Sequence, residues 1–358
     1  ELAEYHHALA QQASKGKDKK ARAELEQQGG EAVFWYRRYL DSFPNEAASG
    51  GISFLMAELL YDLTRYPEAV DAYENSAYHF PQHPKSAEAG YAALLAYNAE
   101  EKRLPQNKQK TWRRKGIDSA LRFADSFPQE PRRAAVLTQA ADQLLAMQEL
   151  ALARKTALQV TAMQPPAKAE LLRTAWTVAA HAAFEQKNYL DAEQANARAL
   201  TQVPAKDKAR KEVQERLAAS VYQQGVALRE KGDQLAAADQ FLRVGQLVPN
   251  ASIRATAEYD AAASLIAAKD WQLTIKILED FRRRYPNSEL LPDINSKLAV
   301  AYLETKQPLR AASEFSIIAV QGGSPELRRE AGWQAAELYE KAGKHGQAVK
   351  AYKYYVET

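Results

Sequence analysis

Between Gly51 and Phe80 the apolar positions recur with the step of an α-helix rather than the alternation of a strand. Phe54, Leu55, Ala57, Leu59, Tyr61 and Leu63 form one amphipathic stretch, Arg65-Tyr66-Pro67 interrupts it, and Ala69, Val70, Ala72, Tyr73, Ala77 and Phe80 form a second. Proline at 67 suits the first turn of the second helix, where its missing N–H has no partner to lose. Proline at 81 ends that helix, because the residue before a proline is pushed out of the helical region. The same two-helix text predicts pairs at 85–98 with 111–127, 131–147 with 149–163, 167–186 with 188–203 and 206–230 with 233–248. It continues at 251–268 with 271–285, 289–305 with 308–320 and 325–342 with 345–356. Residues 1–43 are less regular: Phe34, Trp35, Tyr36, Tyr39 and Leu40 make a second helix, but Ser14 to Lys20 breaks up its partner, so a less regular N-terminal cap is expected there.

Prolines mark the joints. Pro44, Pro81, Pro128, Pro165, Pro204, Pro249 and Pro286 are separated by 37, 47, 37, 39, 45 and 37 residues, and a further 37 reaches Gly323 inside Gly322-Gly323-Ser324-Pro325. A fixed step of this size with helical text between marks predicts one helical repeat array of about nine pairs, with no separate globular domains. The two long steps hold insertions: a polar loop at 100–110, and a basic stretch at 205–216. In the second, Val213, Leu217, Val221 and Leu228 keep helical spacing, which predicts a longer helix and not a loop. Either insertion reads as tolerated surface length or as a functional addition to one face.

Counting back from each closing proline, small and bulky residues recur at fixed offsets. Positions 24, 12, eight and five before Pro249 are Gly225, Ala237, Phe241 and Val244; before Pro81 they are Ala57, Ala69, Tyr73 and Ser76. Before Pro165 they are Ala141, Ala153, Ala157 and Val160, and before Pro204 Ala180, Ala192, Asn196 and Ala199, with Trp176 one turn upstream of Ala180. A small residue on each helix lets two backbones approach at a crossing, so Gly225 is expected to face Ala237, and a bulky residue a turn later fills the gap to the next pair. This pattern resembles the tetratricopeptide repeat family over nearly the whole chain. The last pair fits with Ala336, Tyr339, Ala348, Tyr352 and Tyr355. The resemblance implies an all-α fold, a right-handed superhelical α-solenoid of antiparallel helix pairs with a dominant period of 37, where the family's usual repeat is shorter. The connector Phe281 to Glu289 is similar to the aromatic-Pro-x-Ser joint of bacterial envelope members of the outer-membrane assembly and cell-constriction type, and Phe43-Pro44-Asn45 and Phe80 to Ser86 look related.

Composition agrees with an array. Hydrophobic residues reach 46% while mean hydropathy is −0.51, because 68 of the 358 residues are alanine, the best helix former. Charge is nearly balanced at +3, which demands neither nucleic acid nor a membrane surface, and no apolar run is long enough to span a bilayer as a helix. Without cysteine there is no disulfide, thiolate metal site or cysteine nucleophile. The chain starts without a methionine or a charged-then-apolar leader and so reads as a processed form or an excerpt; an upstream lipid-bearing cysteine stays open.

Chemistry is sparse. His79 and His83 have a metal-ligand spacing, but Pro81 between them breaks the helix that spacing requires; His6-His7 would point to different faces, and His181 has no nucleophile near it in the pattern. Gly29-Gly30, Gly50-Gly51 and Gly322-Gly323 sit at helix breaks without the context of a phosphate loop. Basic clusters at 15–20, 108–115, 206–211 and 282–284 are too scattered for a nucleic-acid face, and helix C-termini account for the last of them. The expectation is no metal, no cofactor, no nucleic acid and no enzyme.

A tetratricopeptide resemblance instead implies a protein or peptide partner in a concave groove lined by first helices, one turn to either side of the small packing residue. Carried onto this chain, the candidates are Phe54, Glu58, Tyr61, Tyr91, Thr138 and Asp142, followed by Thr177, His181, Tyr222, Arg229, Tyr259, Trp333 and Glu337. Any of the tyrosines could equally pack between neighbouring helices. The family's carboxylate clamp for acidic tails needs Lys and Asn where this chain has Phe54 and Glu58, Thr177 and His181, Tyr222 and Val226, which argues against such a ligand. The expectation is a periplasmic scaffold; the alternative is a cytoplasmic regulator or peptide sensor attached to an enzyme or transcription factor.

Overall fold

A computed structural model describes residues 1–16, 18–321 and 323–357. Lys17 of the first basic cluster and Gly322 of the last breaker run therefore lie outside the described residues. Among those described, the secondary structure is eighteen α-helices and one π-helical turn, with no strand. The chain divides into two compact units, residues 1–182 and 183–358.

In the first unit, α1 (Leu2–Ala13) pairs with α2 (Lys19–Ser42), α3 (Ser49–Asp62) with α4 (Tyr66–Glu74), and α5 (Ser86–Glu101) with α6 (Gln106–Ser126). Then α7 (Arg133–Ala146) pairs with α8 (Leu150–Thr161), and α9 (Ala169–Glu185) carries the chain to the boundary. The second unit holds α10 (Tyr189–Thr201), α11 (Ala209–Glu230) with α12 (Gln234–Leu247), and α13 (Arg254–Ala267) with α14 (Trp271–Arg284). It closes with α15 (Leu291–Glu304) and α16 (Pro308–Gln321), then α17 (Pro325–Lys341) and α18 (His345–Glu357). From α1 to α8, and again from α10 to α18, each helix packs on the next, and first helices also touch each other, α3 with α5 and α11 with α13.

The turn between a first and a second helix is one device used seven times among the described residues. Thr64, Gln148, Lys187, Gly232, Lys269, Lys306 and Gly343 all have φ between 56° and 87°, each two residues past the end of a first helix. The next N–H reaches back in a six-to-one bond, Arg65 N to Leu60 O at 2.9 Å and Asp270 N to Leu265 O at 2.9 Å, which closes a Schellman-type cap. The second helix then starts at once: the Asp233 and Asp270 carboxylates accept from Ala236 N and Leu273 N at 3.2 and 3.1 Å.

Four expectations need correction. The N-terminal 1–43 is a regular pair: Asp18 caps α2 by accepting from Ala21 N at 2.7 Å, and the polar run before it is only the turn. The expected loop 100–110 shrinks to 102–105, because helix resumes at Gln106, held by Trp112 Nε1 donating to Tyr97 O at 2.9 Å and by Arg113 pairing with Glu101. The stretch 205–216 does lengthen a helix, the 22-residue α11, but only from Ala209; before it the chain turns, and Arg210 Nη1 donates to Val203 O at 2.9 Å beyond the end of α10. Gly225 faces Phe241 in place of Ala237: a Cβ added at 225 would lie 2.7 Å from the ring carbons.

Arg282–Arg284 do lie in the last turn of α14, and each also meets a carboxylate. Arg282 donates to the buried Glu314 carboxylate of α16 at 2.8 Å, Arg283 pairs with Asp280, and Arg284 joins Arg254 on the buried Glu258 at 2.5 and 2.8 Å. The pairs are carboxylate ties that cross between helices, except Arg283–Asp280 and Arg254–Glu258, which stay within one.

Candidate partner-binding face

In the first unit, the candidates divide into core and surface. Phe54 is 3% exposed, its ring edge-on to Tyr73 at 5.9 Å with Lys85 Nζ 4.6 Å from its centroid, so it is a core residue. Thr138 is buried as well, its Oγ1 donating to Ala134 O at 2.7 Å. Both corrections have one cause: the bundle closes over the offset at which a groove residue was expected. Glu58 is exposed but accepts from the Tyr73 hydroxyl, and half-buried Tyr61 packs edge-on to Tyr66 at 5.1 Å. Tyr91 lies under the Arg132 guanidinium at 4.3 Å and lines a narrow cleft of about 50 Å³ with Asn98, Glu101, Arg113 and Gln143. Asp142 and His181 are exposed and Thr177 half-buried.

In the second unit, the expected aromatics become ties between neighbouring first helices. Tyr222 on α11 donates to Asp260 Oδ2 on α13 at 2.6 Å, and Arg229 of α11 reaches the same carboxylate at 3.2 Å. Tyr259 on α13 donates to Asp293 Oδ2 on α15 at 2.6 Å, and Lys297 meets Asp293 at 2.9 Å. Each tyrosine is half-buried. Burial, then the bond to Asp260, pushes the Tyr222 hydroxyl up to about 12. For Tyr259 the bond to Asp293 comes first and burial second, and the direction is again upward. Burial opposes ionisation of Asp293, but the donors Lys297 and Tyr259 outweigh it and hold the carboxyl below its usual range. These hydroxyls are already committed inside the protein. Trp333 is 42% exposed and packs against Tyr352 and Tyr355 of α18 at 5.4 and 5.2 Å, and Glu337 beside it on α17 lies 3.7 Å from Lys341 Nζ.

Behind the tyrosine ties lies a cleft between α13 and α15. Ala263, Ile266 and Val300 form its apolar side and Asp293, Ser296 and Lys297 its polar side, enclosing about 310 Å³. Val300 is 46% exposed, and Leu303 one turn on is 39% exposed. None of these residues was among the candidates. The signal was present: one turn to either side of Ala262 and Ala299 lie Tyr259 and Ile266, Ser296 and Leu303. The arrangement offers an aliphatic slot with a hydrogen-bonding wall, suited to holding a side chain.

No three histidine or acidic side chains cluster as a metal site among the described residues. His79 Nδ1 lies 2.7 Å from Asn75 Oδ1 and His83 Nε2 2.9 Å from Ser76 Oγ, so the two rings serve separate partners. Among the described residues no helix is long and apolar enough to cross a membrane.

A family model described as tetratricopeptide repeat matches residues 256–288, the span that carries Tyr259, Ile266 and the connector to Pro286. That match supports the tetratricopeptide reading. A tetratricopeptide repeat protein from Parabacteroides merdae is similar in structure at 14% identity, covering 75% of this chain and 99% of its own, with a TM-score of 0.31. The apo form of RapI is similar at 11% identity, covering 100% of this chain and 97% of its own, with a TM-score of 0.34. No curated protein matches the sequence.

Proposed function

We propose that the protein is a non-enzymatic interaction scaffold that holds a protein or peptide partner along its first helices, with the α13–α15 cleft as the principal contact. One observation carries this reading: the polar groups of Tyr259 and Asp293 are satisfied internally, while Val300 and Leu303 are exposed and Ile266 is half-buried beside them. A surface whose polar atoms are already paired presents apolar area with little desolvation cost and little reorganisation on binding. The partner-binding role moves from the tyrosines to the aliphatic side chains one turn away; Tyr222 and Tyr259 position them.

The setting we propose is the bacterial cell envelope, on the strength of the Phe281–Glu289 connector; a cytoplasmic regulator attached to an enzyme or transcription factor is the other reading. A photo-crosslinking amino acid at Val300, in cells producing the native full-length protein, tests both at once. The reading expects one prominent adduct with an envelope protein, absent in the Ile266→Asp background and absent when the crosslinker sits at exposed Lys206. An adduct pattern identical at 300 and 206 removes the cleft from consideration, and an adduct with a cytoplasmic protein moves the scaffold to the other compartment.

A further inference from the structure

Within each unit, the second helices of successive pairs form seams, and one position recurs in how each seam closes. It falls nine residues before the closing proline at Ala72, Ser119, Gln240 and Ile277, and steps of 37 from Ile277 give Glu314 and Ala351. Ser119 of α6 donates to Glu74 Oε1 of α4 at 2.6 Å. Gln240 of α12 accepts from Arg243 at 2.5 Å, and Arg243 reaches Glu193 of α10 at 2.6 Å. Ile277 of α14 packs on the cluster that holds Phe241 and Val244 of α12, and Glu314 of α16 takes Arg282 of α14. The two alanines leave their seams open, with about 520 Å³ beside Ala72 and about 330 Å³ beside Ala351.

The larger opening lies between α2 and α4, with α1 and α5 packed on their far sides. Leu40, Met56, Ala72 and Phe80 give it an apolar floor, where the Ser53 hydroxyl is spent on Ala72 O at 2.8 Å. Its walls carry Asp41 on α2, and Glu68 and Asp71 on α4, against Arg37. That arginine is already committed: Arg37 Nη2 meets Glu68 Oε2 at 2.5 Å, and Arg65 shares the same carboxylate. Asp41 and Asp71 are exposed and meet no cation among the described residues.

The seam between α14 and α16 shows what completes such a space. Its Arg310–Glu279 pair, 2.8 Å long, stands at the register of Arg37–Glu68 with the charges exchanged. Arg282 then reaches across to Glu314 and fills the remainder. At those two positions the α2–α4 seam has Leu40 and Ala72, so it keeps the bridge, lacks the arginine and retains two free carboxylates at its rim.

We propose that the α2–α4 groove is a docking site for an arginine side chain that a protein partner presents between apolar residues. The aliphatic stem lies along Ala72 and Met56, the guanidinium reaches Asp41 and Asp71, and the apolar neighbours cover Phe80 and Pro44. The site goes beyond the α13–α15 cleft, since it is built on second helices in the other unit and its test touches no residue of that cleft.

The test uses the whole chain and a peptide, Gly-Ser-Leu-Arg-Leu-Ser-Gly, capped at both ends and carrying an uncharged dye. The proposal expects a saturable rise in anisotropy that weakens as salt rises, is smaller for the form with lysine, and is lost when glutamine replaces the arginine. Asp41→Asn combined with Asp71→Asn should weaken binding about tenfold. Ala72→Ile, which gives this seam the side chain that Ile277 gives its own, should abolish it. Both aspartates are exposed, so circular dichroism should show their double variant fully folded, and its binding decides the matter should Ala72→Ile unfold. Absence of saturable binding by the arginine form overturns the proposal, as do equal binding of the glutamine form and binding indifferent to the double variant. Full binding by a folded Ala72→Ile variant also overturns it, because the arginine then sits outside the groove.

Discussion

At the scale of single residues, the most informative positions are those that turn each first helix into its second. Five of the seven left-handed residues carry a side chain, and Thr64 at φ 57° is β-branched, the least suited of them to that conformation. Thr64→Gly should therefore raise stability by about 1 kcal/mol, while Gly232→Ala, at φ 87°, should lower it by a similar amount, both read as shifts of the urea midpoint. His7 is a second residue whose effect has a definite sign. Its ring is buried between α1 and α2, with Nδ1 3.0 Å from the Tyr36 hydroxyl and Nε2 3.2 Å from Gln11 Nε2. Burial lowers its pKa, against the weaker opposing pull of Asp62 and Glu58 on α3. The unfolded chain then binds the proton more readily, so stability is complete above the ordinary value of 6.5 and declines as pH falls below it. His7→Gln should flatten that slope. A slope unchanged by the substitution would assign the acid loss to other groups.

At the scale of elements, apolar burial sets the pairing and a few buried carboxylates cross-tie it. Glu314 on α16 is buried, which raises its pKa, and Arg282 of α14 is the cation that works against that rise. Removing the arginine alone leaves a buried carboxylate without its counter-charge. Arg282→Met should cost about 2–3 kcal/mol, less than for a fully buried pair because Arg282 is partly exposed, and adding Glu314→Met should recover most of the loss. A double variant as unstable as the sum of the two singles would mean the pair contributes by packing alone. Tyrosine ties between first helices belong to the same scale. They account for the half-burial of Tyr222 and Tyr259: each hydroxyl has a carboxylate within reach on the next first helix.

At the scale of the whole molecule, the fold of the described residues is all-α, and stability in such arrays is a sum of near-neighbour terms. Gly225→Leu drives a side chain into the Phe241 ring and should cost about 1–3 kcal/mol, whereas exposed Lys206→Leu should stay within about 0.5 kcal/mol. Hydrogen exchange should show the Gly225→Leu loss in α11 to α13 while α3 to α5 keep their protection. A uniform loss across both units would instead reveal one cooperative block.

Helix identity, the order of the pairs and most boundaries were legible in the chain itself, because a helix is decided by residues three and four apart and ended by proline or a polar turn a few residues away. Ala57, Ala69, Ala141 and Ala153 announced the crossings for the same reason: close approach needs a small side chain whatever surrounds it. The loop at 100–110 was misjudged because its polarity resembles a turn, while the contact that makes it helical, Trp112 on Tyr97, pairs residues fifteen apart. The candidate face was legible in outline only. Which tyrosine hydroxyls are spent depends on carboxylates 38 and 34 residues away, Asp260 for Tyr222 and Asp293 for Tyr259. Local periodicity carries no record of those partners. Only the packing of one first helix beside the next brings them within hydrogen-bonding distance, and in doing so it turns these tyrosines into supports and leaves Val300 and Leu303 exposed with half-buried Ile266 beside them.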